Sequence, residues 1–173
     1  MAAVDSALAK GTFDPNRLGL AGGSYGGYMT NWIITQTNRF KAAVSMRSMS
    51  NLYSFFGTSD GGFLNADDYG GPPWALPEKY LRQSPITYVT NVRTPLLMIH
   101  SDLDYRTPIE QAEQFYTALK FHGRNVLFVR FLTETHELSR SGDPRHRVIR
   151  LEHIRSWFEK HLTPGSGTTG WFL

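Results

Sequence analysis

Residues 17–37 read Arg17-Leu-Gly-Leu-Ala-Gly-Gly-Ser24-Tyr-Gly-Gly-Tyr-Met-Thr-Asn-Trp-Ile-Ile-Thr-Gln-Thr37. Within this stretch Gly22-Gly23-Ser24-Tyr25-Gly26 carries the Gly-x-Ser-x-Gly spacing of a nucleophile elbow, a sharp turn that lifts a serine between a strand and a helix. The flanking glycines leave room where side chains two positions either side of the serine are expected to collide. The pattern alone is weak in a chain with 16 glycines, so its context decides. Arg17–Ala21 is a short apolar run that reads as a buried strand. Residues 26–37 read as an apolar-faced helix, with Tyr28, Trp32 and Thr35 on one face and Met29 and Ile33 beside it. Strand, glycine-flanked serine and helix is the order the elbow requires. The bland alternative is a glycine-rich loop without chemistry.

Working outward, the chain has 173 residues, enough for one domain. Hydrophobic residues make up 40% and charged residues 19%, which predicts a packed core rather than disorder. The formal charge of +3 is spread among interspersed acids and bases, so nothing points to nucleic-acid binding. The absence of cysteine excludes disulfides and thiolate chemistry and fits a cytoplasmic setting. No apolar run approaches membrane-spanning length, and the N-terminal MAAVDSALAK lacks the core of a secretion signal. Residues 1–162 are expected to form the folded body. Residues 163–173, rich in Gly, Ser and Thr, form a tail that ends the folded body, with Trp171 and Phe172 available to dock on it.

The remaining elements alternate. A helix end over 2–10 is closed by Gly11, and Asp14-Pro15-Asn16 makes a turn. Strands are predicted over 40–46, 95–100 and 125–132. Helices are predicted over 108–121, with Thr107 as N-cap, and over 145–161. The last helix has an apolar side comprising Val148, Ile149, Leu151, Ile154, Trp157, Phe158 and Leu162. Residues 47–85, rich in aromatics, Gly and Pro, are too long for a simple connection and read as a functional excursion. The alternation predicts an α/β fold with about four parallel strands flanked by helices.

In such a sheet chemistry gathers at the C-terminal strand ends. Ser24 follows the first strand, His100–Arg106 follows the third and Thr133–His136 follows the fourth. The order Ser…Asp…His is that of α/β-hydrolase triads. Ser24 needs a base, because a free hydroxyl is a poor nucleophile. Of the six histidines, His136 stands best, in a polar loop just beyond a strand. His100 ends an apolar strand and reads as buried and structural, and His122 as a helix cap. His146, His153 and His161 read as surface or packing residues of the last helix. The base needs an acid to fix its tautomer, and both Asp102 and Asp104 qualify. Asp104 lies farther into the loop, whereas Asp102 is placed to brace the turn. Glu134 and Glu137 are expected to face solvent. No His-x-x-x-His or compact carboxylate cluster suggests a metal, and no cofactor is expected.

The blocks GGSYGGYMTNW, SFFGTSD, PLLMIHSDLDYRTPIEQAEQFYTALK and HELSRSGDPRHR together closely resemble the catalytic domain of the prolyl oligopeptidase family, in its acylaminoacyl-peptidase-like branch. The resemblance covers nearly all of residues 1–162. It implies Ser24 as nucleophile, Asp104 as acid and His136 as base, with the backbone N–H of Tyr25 as an oxyanion donor. Arg106 matches an arginine that holds a substrate carbonyl in some members. The resemblance implies hydrolysis of short or N-acylated peptides, or of simple esters. The aromatic excursion offers Tyr53, Phe55, Phe56 and Trp74 as pocket residues or as ordinary core.

A full α/β-hydrolase domain has about eight strands, so this stretch is expected to be a truncated version corresponding to the C-terminal part of a longer catalytic domain. The family's N-terminal β-propeller, and the His-Gly-Gly-Pro-like loop with its second oxyanion donor, have no counterpart in it. Arg17–Ala21 then becomes an apolar edge, expected to be covered by homo-oligomerisation. With one donor lost, turnover is expected to be weak and better on activated esters than on amides. The rival readings are a self-assembling fragment without turnover and a small carboxylesterase.

Overall fold

The computed structural model describes residues 1–163. Helix α1 (Ala2–Leu8) leads through a turn to β1 (Gly19–Gly23), α2 (Tyr25–Gln36) and β2 (Ala42–Met46). The excursion follows as α3 (Leu52–Thr58), a 3-10 turn (Gly62–Asn65), α4 (Ala66–Tyr69), α5 (Pro77–Gln83) and a second 3-10 segment (Pro85–Asn91). The chain then runs through β3 (Leu96–Ser101), α6 (Glu110–Phe121), β4 (Val126–Phe131), α7 (Leu138–Ser141) and α8 (Pro144–Leu162). The tail assigned to residues 163–173 falls, beyond Thr163, outside the described residues, as do Trp171 and Phe172.

The four strands form one parallel sheet in the order β1-β2-β3-β4. Its register sets Gly23 beside Met46 and Met46 beside Ile99, while His100 lies beside Arg130. All four C-terminal ends therefore open on one rim. β2 and β3 are covered on both faces, which is why they read as unbroken apolar runs. Alternate residues feed two cores. Ala43, Leu96 and Met98 pack with Ile34 of α2 and with Phe115 and Leu119 of α6. Val44, Leu97 and Ile99 pack with Phe131 and with Trp157 of α8. Burying a side chain of this size contributes about 1.5–3 kcal/mol, so these layers hold the rim in place.

Three local expectations are corrected. The buried stripe of α2 is Gly27, Thr30, Asn31, Ile34 and Thr35, not the face of Tyr28 and Trp32. Polar residues occupy it because their donor groups find acceptors inside. The Thr30 hydroxyl donates to the Gly26 carbonyl (2.9 Å), and the Asn31 amide donates to Ser48 Oγ (3.1 Å) and the Met49 carbonyl (3.2 Å). In α8 only Trp157 is fully buried, with Ile154, Phe158 and Leu162 packed beside it. Val148, Ile149 and Leu151 are exposed. Finally, Thr107 does not cap α6, which begins at Glu110 without a side-chain cap; its hydroxyl has another partner, described below.

Candidate active site

Ser24 lies between β1 and α2 with φ 60° and ψ −123°, a strained backbone for a residue with a side chain. Two of the neighbouring glycines are sterically required. A Cβ on Gly22 would lie 2.1 Å from the Gly26 carbonyl oxygen, and one on Gly27 would lie 2.6 Å from the Met46 carbonyl oxygen. Gly26 differs: a Cβ there meets nothing within 4 Å. The expected collision on both sides of the serine therefore holds on one side only, because the start of α2 turns the Gly26 α-carbon into open space.

The loop after β4 brings His136 over Ser24, with Nε2 3.0 Å from Ser24 Oγ. His136 Nδ1 lies 2.8 Å from Asp104 Oδ2 and 3.0 Å from Oδ1. A carboxylate at Nδ1 holds the imidazole proton there, leaving the Nε2 lone pair to accept the Ser24 hydroxyl proton. Asp104 is buried, 2% exposed. It accepts from the backbone N–H groups of Arg106 (3.0 Å) and Thr107 (2.8 Å) and from the Thr107 hydroxyl (2.9 Å). Burial pushes its carboxyl up. Hydrogen bonds from His136 and Thr107, with the nearby His100 and His136 rings, outweigh this and hold it below the usual carboxylate range. His100 is buried, with Nε2 2.6 Å from the Thr107 carbonyl and 3.6 Å from Asp104 Oδ2. Desolvation pushes its pKa down, so it stands as a neutral brace behind the carboxylate.

Asp102, the other acid open on sequence, takes a bidentate ion pair from Arg130 at 3.0 Å and points away from the imidazole. Glu134 is not solvent-facing: it is 7% exposed. Its carboxylate accepts from the Asp143 N–H (3.0 Å) and pairs with His146 Nδ1 (2.7 Å), pinning the His136 loop to the start of α8. Glu137 is exposed and paired with Arg140.

Ser24 opens on two concavities. The first, about 480 Å³, is walled by the excursion; Phe55, Phe56, Tyr28, Tyr69 and Tyr80 face it, and Arg106 stands at its edge. Tyr53 and Trp74, expected here, do not line it. Tyr53 sits in the first turn of α3, where its N–H is capped by Asn51, and Trp74 packs edge-on behind Phe56 at 5.5 Å. Tyr69 and Tyr80 were missed because they lie on short helices without a clear period, and Tyr28, expected on the apolar face of α2, turns to the concavity instead. Tyr69 stacks on Tyr80 at 4.4 Å, and the Tyr28 hydroxyl donates to the Gln83 carbonyl at 2.8 Å. Desolvation, reinforced by Tyr69 and Tyr25, pushes the Tyr28 phenol up to about 12, so it stays neutral. The second concavity, about 690 Å³, is an open groove bordered by Asp60, Tyr105, Arg106, His136 and Arg140. Arg106 lines both and is held by Asp60 at 2.8 Å.

Tyr25 is the first residue of α2. Its N–H is one of the helix-start donors without an intrahelical acceptor, at the end of α2 that carries partial positive charge. Hydroxyl, imidazole and ionised carboxylate in series, beside such a donor, can activate an oxygen nucleophile and stabilise an oxyanion. Among the described residues no group of three His, Asp or Glu side chains is placed to hold a metal. No described helix is long and apolar enough to cross a membrane.

Comparison with known proteins gives a consistent picture. The sequence profile of the prolyl oligopeptidase family matches residues 1–165. The chain is 51% identical over 170 residues to the uncharacterised peptidase YuxL of Bacillus subtilis, covering 94% of this chain and 25% of that protein. It is 31% identical over 168 residues to an acylamino-acid-releasing enzyme of Arabidopsis thaliana, covering 92% of this chain and 22% of the enzyme. Its structure superposes on the Pyrococcus horikoshii acylaminoacyl peptidase with a TM-score of 0.90 and 36% identity, over 98% of this chain and 28% of that one. The chain thus spans about a quarter of the length of these relatives, and its sheet is part of an α/β-hydrolase fold.

Proposed function

The chain belongs to the prolyl oligopeptidase family, and from that premise we propose that it carries the acyl-transfer centre of a serine peptidase acting on short or N-acylated peptides or on esters. Ser24 attacks the substrate carbonyl. His136 takes the Ser24 proton and returns it to the leaving group, and Asp104 orients His136 and stabilises its cation. The Tyr25 N–H binds the tetrahedral oxyanion. The acyl-enzyme is then hydrolysed by water activated at His136. The Ser24–His136–Asp104 series, with heavy-atom separations of 3.0 and 2.8 Å on a strained turn, carries this reading. The aromatic concavity suits a large apolar side chain of the acyl portion. Arg106, released from Asp60, is placed to bind a substrate carbonyl. The acylated-peptide preference rests on the named relatives.

Covalent labelling by a fluorophosphonate probe tests the proposal. Labelling of the parent chain that disappears in Ser24→Ala is the expected result; labelling that persists in the alanine variant removes Ser24 from the mechanism. A second reading, a chain that assembles without turning over, is favoured by one observation: β1 has β2 as its only strand neighbour among the described residues. An unlabelled parent protein supports that reading.

A further inference from the structure

His136 reaches Ser24 from the far side of the sheet. Its loop leaves β4, and Ser24 follows β1, three strand spacings or about 14 Å away. The Asp104 and Ser24 contacts orient the ring, but the main chain carrying it needs its own support. Glu134 supplies one anchor two residues earlier. A second lies at the end of β2. Arg47 has φ 39°, in the left-handed region that is strained for a residue with a Cβ. Its own N–H bonds the Ile99 carbonyl of β3 at 2.9 Å, so the unusual backbone is tied into the sheet. The guanidinium Nη1 donates to the His136 carbonyl at 2.7 Å. The same group lies against Gly23, where an added Cβ would stand 3.1 Å from Nε and 3.3 Å from Nη2. One half-buried cation therefore touches the residue before Ser24 and the main chain of His136.

We propose that Arg47 is a positioning residue that clamps the His136 loop to the Ser24 turn, setting the distance between the imidazole and the hydroxyl. The strained backbone is what aims the side chain back along the rim rather than outward. Gly23 is kept small because the guanidinium lies across it. Burial is the main influence that disfavours the Arg47 cation; of the charges around it, Arg140 and Arg150 oppose it as well, whereas Glu137 and Asp104 favour it, so the residue is held there at some electrostatic cost.

The proposal rests on the reading of Ser24 and His136 as partners, and the test separates the two. Arg47→Met keeps the apolar stem and removes the donor; Arg47→Lys restores a donor. Fluorophosphonate labelling rates are read for both, with the thermal midpoint and the low-field NMR resonance of the His136 Nδ1 proton. Arg47→Met is expected to label about ten- to a hundredfold more slowly, the range for a misplacement near 1 Å, at a temperature where it remains folded. Its low-field resonance should weaken, and Arg47→Lys should recover most of both signals. A parent-like rate and resonance in Arg47→Met overturn the clamp. If the parent is not labelled, the reading of the site fails but the resonance still decides: its loss in Arg47→Met supports the clamp and its persistence refutes it. Should Arg47→Met not fold, Arg47→Gln, too short to reach the carbonyl, is read in its place.

Discussion

At the level of single residues, the glycines around Ser24 look equivalent in sequence and are not equivalent in space. Gly22 and Gly27 face backbone oxygens at distances no Cβ tolerates, whereas Gly26 faces nothing. Gly22→Ala is expected to cost about 1–3 kcal/mol through overpacking, or roughly 2–12 °C in Tm for a domain of this size, and to suppress labelling of Ser24. Gly26→Ala should leave both within error. Paired calorimetry and probe labelling check this, and equal damage from the two substitutions would contradict it. Asp104 makes a second prediction. Its folded-state pKa lies below the ordinary carboxylate value, so its stabilising contribution is complete above the unfolded pKa of about 3.9 and is lost as pH falls through the lower folded value. Asp104→Asn should thus lower Tm near neutrality and converge on the parent in strong acid. It should also cut labelling by about 10³–10⁴-fold, the order seen when the acid of such a series is neutralised. Thermal melts across pH, with labelling at pH 7, report both effects.

At the level of elements, the wall of the aromatic concavity depends on one glutamine. Gln111 of α6 is fully buried, and its Oε1 accepts from the backbone N–H groups of Ser50 (3.0 Å) and Asn51 (2.9 Å), just before α3. Its Nε2 donates to Ser54 Oγ of α3 at 2.9 Å. Gln111→Leu keeps the bulk and orphans two buried donors at about 1–3 kcal/mol each. A loss of about 2–6 kcal/mol in chemical denaturation is therefore expected. On an ester substrate the surviving fold should show a raised KM more than a lowered kcat, since Phe55 moves and Ser24 does not. Unchanged stability would show that the latch is redundant. The sequence predicts the four strands to within about two residues; for β2 and β3 this is because buried parallel strands are apolar without interruption, whereas β1, expected to be buried, is a half-exposed strand. It also predicts the order of Ser24, Asp104 and His136, because strand C-terminal ends share a rim. What stayed hidden were polar residues whose partners lie far along the chain. Gln111 and Glu134 find their partners, and the Asn31 amide N–H groups find theirs, across about 10–60 residues, and no local period announces that. The exposed Val148, Ile149 and Leu151 erred in the other direction: periodicity marked them apolar but could not say that nothing covers them.

At the level of the whole molecule, β1 is both the platform of Ser24 and the edge of the sheet. Five residues, Gly19–Gly23, present one unpaired row of main-chain groups, and only Ala21 and Leu20 among them carry side chains. Among the described residues no charge, proline or bulge within β1 guards this edge, which is how sheets ordinarily discourage pairing. The apolar residues of α8 add exposed surface on the same chain. Two copies related by a two-fold axis would bring their β1 strands together antiparallel, satisfying both rows with one self-complementary contact. We therefore predict that the isolated chain self-associates at micromolar concentration, and light scattering coupled to size exclusion should give a mass of two chains or more. Ala21→Lys places a charge on the exposed edge and should return the mass to one chain of 19.6 kDa without lowering Tm. A parent chain that runs as a monomer excludes the edge as an assembly surface. An oligomer unaffected by Ala21→Lys moves the contact elsewhere, with Val148 and Leu151 of α8 next to be tested. The outcome bears on chemistry as well. β1 ends directly at Ser24, so whatever pairs with it stiffens the strand that aims the nucleophile, and the labelling rate should rise with protein concentration in the parent but not in Ala21→Lys.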